Sequence, residues 1–253
     1  MAERKPLKLH LGCGLNVVEG WVNIDGSWNA RLAKLPRLRR ALAATGIIPR
    51  ESTRVEWRAD LRILDVRDPL PFAANSCDAI YASHLLEHLF LDDAQRLLRE
   101  CFRVLRPGGT LRLVVPDLRA IVREYNGERV FYNSDEFAAM PAADRMNRRL
   151  LFRGVSPARG NVLMRIYAAL KDFQTHKWMY DAESLVFYVR NAGFDEVSER
   201  AFRESRIADI DRLEHAGRVL QGEGICVEGV KAAARTIATS STGQLEIAAN
   251  VRD

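Results

Sequence analysis

The chain has no run of apolar residues long enough to cross a membrane. None of its hydrophobic stretches approaches the eighteen residues that a membrane span needs. The N-terminal residues lead directly into a predicted strand, with no apolar core of the kind found in a signal peptide. The sequence therefore predicts a protein without a membrane span, in the cytoplasm.

Cysteine is scarce, and no two cysteines stand close enough to form a Cys-x-x-Cys pair. The four are far apart along the chain, at Cys13, Cys77, Cys101 and Cys226. Secreted disulfide frameworks and structural zinc sites both need clustered cysteines. The spacing predicts reduced thiols in place of disulfides or a zinc site.

Hydrophobic and basic residues are well represented. The 253 residues are 47% hydrophobic, which favours one large folded domain with an insertion and excludes global disorder. The net charge is +5 and the isoelectric point is about 9.2. This excess suits an anionic substrate or nucleic acid, although a solvated basic surface explains it equally well.

Strand and helix patterns alternate along the chain, which predicts an α/β fold with a mostly parallel, doubly wound, Rossmann-like sheet. Seven strands are predicted, with the last one antiparallel at the sheet edge. They span residues 7–14, 21–25, 55–58, 78–83, 110–115, 194–202 and 224–231. Asp92, Asp117 and Asp181 are predicted helix caps, and Pro36 is predicted to break a helix over residues 28–45.

The alternation of strand and helix patterns stops over residues 127–175, which are polar and rich in arginine. This stretch is too long for a plain loop, so it is interpreted as a helical insertion over the carboxyl edge of the sheet, where it would select the substrate. The predicted domain covers residues 1–232, and a small-residue tail follows over 233–253.

The first strand runs into a glycine turn, and an acid follows the second strand. Gly12 and Gly14 flank Cys13, and Asp25 comes eleven residues after Gly14. In doubly wound sheets, this corner binds nucleotides, because glycine lets the backbone approach a ligand and a carboxylate can accept ribose hydroxyls. A lone Gly-x-Gly is a weak signal that leaves the ligand open.

Further motifs make the chain resemble the class I S-adenosylmethionine-dependent methyltransferases, most closely a bacterial type 11-like group. The first motif combines residues 7–14 with 20–25, and the others are Leu70-Pro71-Phe72 with Cys77-Asp78, Ser83-His84-Leu85-Leu86-Glu87-His88, the segment 103–109 ending in Pro107-Gly108-Gly109, and His176-Lys177-Trp178-Met179-Tyr180-Asp181. The resemblance covers about residues 7–115 and 176–231 and implies S-adenosylmethionine as cofactor.

The resemblance also implies a role for each matching position. Gly12, Cys13 and Gly14 would wrap the methionine end of the cofactor, and Asp25 would hold the ribose hydroxyls. Asp60 and Leu61 would border the adenine, and Ser83 would line the sulfonium. Two positions depart from the family pattern: His10 stands where an acid is usual, and Asn16 stands where a third glycine often falls.

A hydroxyl acceptor needs a base or a metal to help remove its proton. His176 and His84 are the preferred bases, whereas His10 and His215 are interpreted as structural. The alternative for His88 is a hydrogen-bonding unit at a helix start, and His176 could instead fasten the segment that closes the site. Trp178 and Tyr180 offer aromatic surface near the site or belong to the core.

A metal is a further alternative. The spacing of His84, Glu87, His88 and His176 resembles the magnesium set of family members that methylate RNA 3′ ends or quinone precursors. Because His84 replaces an acid, a site here would favour zinc, manganese or iron.

Three functions remain open from the sequence. The first is O-methylation of a sugar, glycan or other hydroxylated small molecule. The second is RNA methylation, with the arginines of the insertion binding phosphates, although that stretch lacks the interleaved aromatic residues and lysines typical of RNA binding. The third is a cofactor-binding subunit without activity. The sequence leaves open whether the chain is a monomer or a homo-oligomer.

Overall fold

The structure is a computed structural model that describes residues 4–45, 47–48, 50–128, 135–152, 175–219 and 224–233. Six strands in this part of the chain form one sheet, in the order β2-β1-β3-β4-β6-β5. Their bounds are Lys8–Leu11 (β1), Val22–Ile24 (β2), Cys77–Ser83 (β3), Leu105–Val115 (β4), Asp195–Arg200 (β5) and Ile225–Val230 (β6).

The predicted α/β architecture is confirmed. Strands β1, β2, β3 and β4 are parallel, and β6 pairs antiparallel with both β4 and β5. The predicted antiparallel strand is therefore present at this side of the sheet, where β5 covers its outer edge. The carboxyl ends of the parallel strands meet at one edge, which is where such sheets bind ligands.

The strand predicted over residues 55–58 is wrong, so the sheet has six strands where seven were expected. The chain turns at Ala59 and Asp60 and reaches the sheet only at Arg62, which forms a single parallel bridge with Ile24. Arg62 donates to the carbonyl of Asn23 and accepts from the amide of Asp25. Strand β2 is only three residues long, so it offers no ladder on which a longer seventh strand could form.

Two helices cover one face of the sheet. Helix α3 (Leu91–Val104) buries Leu97, Leu98, Cys101 and Val104, which recur at helical spacing. Its cap is Phe90, so the prediction of Asp92 as the cap is wrong; Asp92 lies in the first turn, where its charge suits the helix dipole. Helix α7 (Ala182–Asn191) is capped by Asp181, as predicted. Asp181 and Ser184 form a reciprocal capping box.

The opposite face is covered by residues 201–219, here called the cover segment, which link β5 towards β6. Ile207, Ile210, Leu213 and Val219 from this segment pack against apolar residues of the sheet face. Two short 3-10 helices, Ile210–Arg212 and Ala216–Arg218, carry the chain from the outer strands to the carboxyl end of β3.

Two further helices leave the end of β2. Helix α1 (Trp28–Ala33) is capped by Ser27, and helix α2 (Pro36–Ala44) starts with Pro36 at its first position. The predicted helical break at Pro36 is confirmed, because proline has no amide hydrogen and fits only the first turn of a helix.

Part of the predicted insertion is described, and it is helical. Helix α4 (Leu118–Tyr125) follows β4 and is capped by Asp117, as predicted. Helices α5 (Asp135–Ala138) and α6 (Ala142–Arg149) come next. The remainder of the insertion, residues 129–134 and 153–174, lies outside the described residues, as do 234–253 of the tail. In the described residues, no helix is long and apolar enough to cross a membrane.

Candidate functional site

The glycine turn after β1 has the backbone conformation that the sequence predicted. Gly12 and Gly14 have φ angles of +64° and +54°, a region that residues with a side chain rarely adopt. A Cβ at Gly12 would come within 3.0 Å of the Leu85 side chain, whereas a Cβ at Gly14 would meet no described atom within 4 Å. The turn therefore packs tightly at Gly12 and leaves space beside Gly14.

The side chain of Cys13 belongs to a small apolar cluster. Its amide donates to the carbonyl of Ile24, and its side chain is buried with Ala30 and Leu61. Burial, together with the nearby charge of Asp25, raises the pKa of the Cys13 thiol to about 12. A neutral buried thiol makes Cys13 a packing residue whose backbone alone can face a ligand.

Asp25 fastens the glycine turn to the next helix. One carboxylate oxygen accepts from the amide of Gly14 at 2.9 Å, and the other accepts from the amide of Ser27 at 2.8 Å. The carboxylate is nearly buried. Because each oxygen has two lone pairs, both retain capacity for a ribose hydroxyl.

Asp60 lies at the surface, whereas its neighbour Leu61 lies in the core. The Asp60 carboxylate is exposed and paired with Arg58, whose hydrogen bonds lower the pKa of the carboxyl. Leu61 is buried against Cys13 and Ala30, directly beneath the glycine turn. The two residues thus lie beside the predicted nucleotide corner, and their contact with adenine stays a prediction.

The carboxyl end of β3 carries Ser83 and His84. The Ser83 hydroxyl is buried and has no hydrogen-bond partner in the described structure. His84 has a φ of +52°, which is costly for a residue with a side chain, while its amide still donates to the carbonyl of Val114. Such strain is concentrated at functional sites and ends the strand here.

The two ring nitrogens of His84 face a carbonyl and a carboxylate. Nε2 donates to the carbonyl of Arg218 at 3.1 Å, and Nδ1 lies 3.3 Å from Oε1 of Glu87. With Nε2 held by a carbonyl and Nδ1 facing a carboxylate, the ring has no nitrogen turned to a substrate. This geometry favours His176 over His84 as a base.

Glu87 is the most unusual residue of the site. It lies in a 3-10 helix (Leu86–His88), it is 0% exposed, and neither of its carboxylate oxygens accepts a hydrogen bond from the residues that the structure describes. Buried carboxylates are costly unless they are paired or bind a metal. A buried carboxylate that accepts no hydrogen bond from the protein is suited to bind a cation.

Two further histidines, His88 and His176, face Glu87. The His88 and His176 rings lie 5.1 Å apart, and His88 Nε2 lies 4.0 Å from Glu87 Oε1. His88 Nδ1 donates to the carbonyl of Thr175. The segment bearing His176 is fastened here by the amides of Lys177 and Trp178, which donate to the Glu87 carbonyl at 2.6 and 3.3 Å.

His176 is neutral at physiological pH. Burial lowers its pKa to about 4, with His88 and His84 acting in the same direction and Glu87 opposing them. Its Nδ1 is buried without a partner among the described residues. A neutral imidazole with an unused nitrogen can accept a proton or bind a metal.

Three of the four proposed metal ligands come together. One ligand atom each from Glu87, His88 and His176 lie within 4.8 Å of one another, whereas His84 is outside this group. A set of two histidines and one carboxylate is typical of zinc, manganese and iron sites, so these three residues fit a metal ion.

The two departures from the family pattern have structural partners. His10 is buried in β1 next to Tyr81, with ring centroids 5.2 Å apart, which agrees with a structural role. The Asn16 side chain donates to the carbonyl of Leu213 in the cover segment. Asn16 thus connects the glycine turn to the cover segment at the place where the family often has glycine.

Two features of the site were not predicted. Tyr180 was expected as aromatic surface near the site or as part of the core, but not that its hydroxyl would be buried without a partner among the described residues. Burial together with Glu87 raises the pKa of that hydroxyl. Arg218 reaches the carbonyl of Ser83 from the cover segment at 3.4 Å. Tyr180 could have been found because it lies four residues after His176 in the sequence. Nothing in the sequence connects Arg218 with β3.

Comparison with known proteins supports the resemblance. Residues 33–113, about a third of the chain, match the family model of a methyltransferase domain. This match confirms the predicted resemblance to the class I S-adenosylmethionine-dependent methyltransferases and supports S-adenosylmethionine as the cofactor.

Individual relatives are more distant. Methyltransferase GfsG from Streptomyces halstedii is 31% identical over 112 residues, which cover 44% of this chain and 37% of GfsG. The chain thus matches little more than a third of the length of that relative.

Solved structures are similar at low identity. A Thermotoga maritima S-adenosylmethionine-dependent methyltransferase is 17% identical, with 91% of this chain and 84% of that chain covered and a TM-score of 0.41. The CurJ carbon methyltransferase is 13% identical, with 92% and 50% covered and a TM-score of 0.46. Likenesses of this size say nothing about the reaction or the acceptor.

Proposed function

We propose that this methyltransferase moves the methyl group of S-adenosylmethionine to a hydroxyl oxygen of a sugar, glycan or other hydroxylated small molecule. The observation that carries the proposal is the cluster of the buried Glu87 with the half-buried His88 and His176 beside the end of β3. An alcohol is a poor nucleophile unless a base or a metal assists it, and this group can provide either.

The donor takes the corner between β1 and β2. In this proposal, Gly12, Cys13 and Gly14 contact its methionine end through their backbone, and Asp25 accepts from the ribose. The open space beside Gly14 and the spare lone pairs of Asp25 support that placement. Asp60, Leu61 and Ser83 keep their expected places along the adenine and the sulfonium.

His176 acts as the base. As the acceptor oxygen attacks the methyl carbon, the carbon–sulfur bond breaks, S-adenosylhomocysteine leaves, and the hydroxyl proton passes to the imidazole. The low pKa of His176 keeps this ring unprotonated at neutral pH, as a proton acceptor must be. The protein's main contribution is alignment of oxygen, carbon and sulfur and exclusion of water.

Glu87, His88 and His176 would hold a divalent metal if one binds. A bound metal would lower the pKa of an acceptor hydroxyl, which replaces the need for a base. The two partnerless oxygens of Glu87 support this alternative. His84 stays bonded to Arg218 and supports the loop that carries Glu87.

RNA is a weaker candidate acceptor. Two insertion arginines that could bind phosphates, Arg145 and Arg149, form ion pairs with the buried Glu124 of helix α4. Their charge therefore serves the packing of α6 on α4. Arg153, Arg159 and Arg165 lie outside the described residues.

The free state of all four cysteines supports a reducing, cytoplasmic location.

Turnover with labelled S-adenosylmethionine over sugars, glycolipids, phenols and RNA tests the proposal. We expect methyl transfer to a hydroxyl compound, and a loss of about 100-fold or more in kcat for His176→Ala, with donor affinity within about twofold. The exposed His215→Ala is the matched control and should keep full turnover. Label on RNA alone, or donor binding without any transfer, would refute O-methylation.

The metal alternative has its own measurement. Metal content of the purified protein is determined by mass spectrometry before and after exhaustive chelation, and again for Glu87→Gln. A stoichiometric metal that Glu87→Gln loses supports the metal. Full turnover of a metal-free protein would eliminate the metal alternative and leave His176 as the base.

A further inference from the structure

Two segments of the chain are basic and contain no Asp or Glu. Residues 26–50 hold six basic residues, and residues 145–171 hold seven. Most of the second segment lies outside the described residues, whereas the first is described almost throughout. The six basic residues of the first segment are Arg31, Lys34, Arg37, Arg39, Arg40 and Arg50.

This segment forms helices α1 and α2, here called the basic arm (residues 26–45). Its basic side chains form no ion pair with any carboxylate in the described part of the chain. Lys34 and Arg39 donate to the carbonyls of Ala59 and Val55, which hold the arm without neutralising its charge. Arg37 and Arg40 are exposed on the outer side of α2.

Large apolar side chains lie among these charges. Leu35 is 53% exposed and Leu38 is 46% exposed, the first at the N-cap and the second in the first turn of α2. Trp28, at the start of α1, is 45% exposed. Basic helices that also expose leucine and tryptophan are typical of segments that lie on a membrane surface.

We propose that the basic arm docks this protein on an anionic lipid bilayer. Lysine and arginine are attracted to the negative headgroups, while Leu35, Leu38 and Trp28 enter the boundary between headgroups and acyl chains. Charge alone would also suit nucleic acid, but phosphates give exposed leucines nothing to bind. The leucines therefore favour the bilayer.

The arm stands next to the candidate site. Ser27, the cap of α1, donates its amide to Asp25, and Arg31 donates to the carbonyl of Gly26. Docking through the arm brings the nucleotide corner to the bilayer surface, within reach of acceptors attached to lipids. The docking itself depends only on the arm and goes beyond the methyl transfer proposed above.

Vesicle co-sedimentation tests this inference. The full chain is mixed with vesicles of phosphatidylcholine alone or with 30% phosphatidylglycerol, at low and at raised salt. We expect binding only to the anionic vesicles, with a loss of about tenfold in affinity at raised salt, because counterions screen the attraction.

Three variants separate charge from apolar insertion. Arg37→Glu/Arg40→Glu should weaken vesicle binding at least tenfold, and Leu35→Ser/Leu38→Ser should weaken it without a change in charge. Lys5→Glu/Arg123→Glu, exposed elsewhere and matched in charge, should bind like the wild type. Circular dichroism checks that each variant is folded.

Three results would overturn the inference. One is equal binding by the arm variants and the control variant. Another is tighter binding to single-stranded RNA than to anionic vesicles, which would make the arm a nucleic-acid surface. The third is a dimer in solution that the leucine variants dissociate, which would make the arm a contact between copies.

Discussion

Single residues at the site combine backbone strain with unpaired polar groups. Gly12, Gly14 and His84 have positive φ angles, and the buried carboxylate of Glu87 accepts no hydrogen bond from the described residues. The two glycines could be predicted, since a turn after a buried strand requires them. The bonds from Gly14 and Ser27 to Asp25 could not, because they depend on how two strand ends meet in space.

Gly14 and Gly20 allow a matched test of the glycine turn. Both have positive φ, +54° and +85°, and a Cβ at either position meets nothing described within 4 Å. Replacement by alanine should therefore cost each variant about 1–2 kcal/mol of unfolding free energy through backbone strain alone.

Only Gly14→Ala should also weaken S-adenosylmethionine binding, by about tenfold or more, because its Cβ fills the space that the donor would occupy. Calorimetric titration of donor into both variants measures the difference. Equal donor affinity in Gly14→Ala and Gly20→Ala would show that the donor lies elsewhere.

At the scale of elements, the sequence predicts those with a strong pattern. Helices α3 and α7, with apolar residues at helical spacing, lie where they were expected. The weak strand over 55–58 did not form, because Trp57 packs towards the cluster of Cys13 and Leu61 and the chain then turns. The spacing of apolar residues in a sequence shows which face of a helix or strand is buried. It says little about whether a short edge strand forms.

The cover segment was not foreseen, since residues 201–219 have no regular period. A buried arginine explains its place. Arg112 in β4 is 0% exposed; it pairs with Glu214 at 2.5 Å and donates to the carbonyls of Ala201 and Glu204. Glu228 in β6 accepts from the Ser205 hydroxyl and the Arg206 amide. Buried charges thus replace the apolar pattern that sequence reading relies on.

Removal of one charge from this network should release the cover segment. Arg112→Leu leaves Glu214 and Glu228 buried without the guanidinium that they share, and should cost about 3–5 kcal/mol of unfolding free energy. Arg112→Leu/Glu214→Leu should recover part of that loss, because Glu228 alone then lacks its cation and keeps its hydrogen bonds from Ser205 and Arg206.

Urea unfolding measures both variants, and limited proteolysis within 201–219 reports the release. If the double variant is as unstable as the single one, the network stabilises the segment through its geometry and not through charge compensation.

For the whole molecule, the two faces of the sheet differ in chemistry. The face under α3 and α7 is apolar, whereas a row of polar side chains in register crosses all six strands on the other face. The row is Asn23, His10, Tyr81, Arg112, Glu228 and Ser198. The cover segment closes over this row, which explains how a histidine comes to be buried where the family usually has an acid.

His10 should make the stability of the whole molecule depend on pH. Burial, with smaller effects of Arg218 and His215, lowers its pKa to about 4, while an unfolded histidine has a pKa of about 6.5. Between these values the unfolded chain binds a proton that folded His10 does not, so the unfolding free energy falls as pH falls from about 6.5 to about 4. The loss from this residue is about 3 kcal/mol.

Urea unfolding of wild type and His10→Gln between pH 4.5 and pH 8 measures this contribution. His176, with its own pKa of about 4, adds a loss of the same sign and remains in both proteins. The unfolding free energy of the variant should therefore still fall with pH below pH 6, but less steeply than that of the wild type, by the equivalent of close to one bound proton. Above pH 7 the two slopes should coincide. Parallel curves over the whole range would mean that His10 takes up its proton within the folded sheet, which requires water or an acid to reach the row beneath the cover segment.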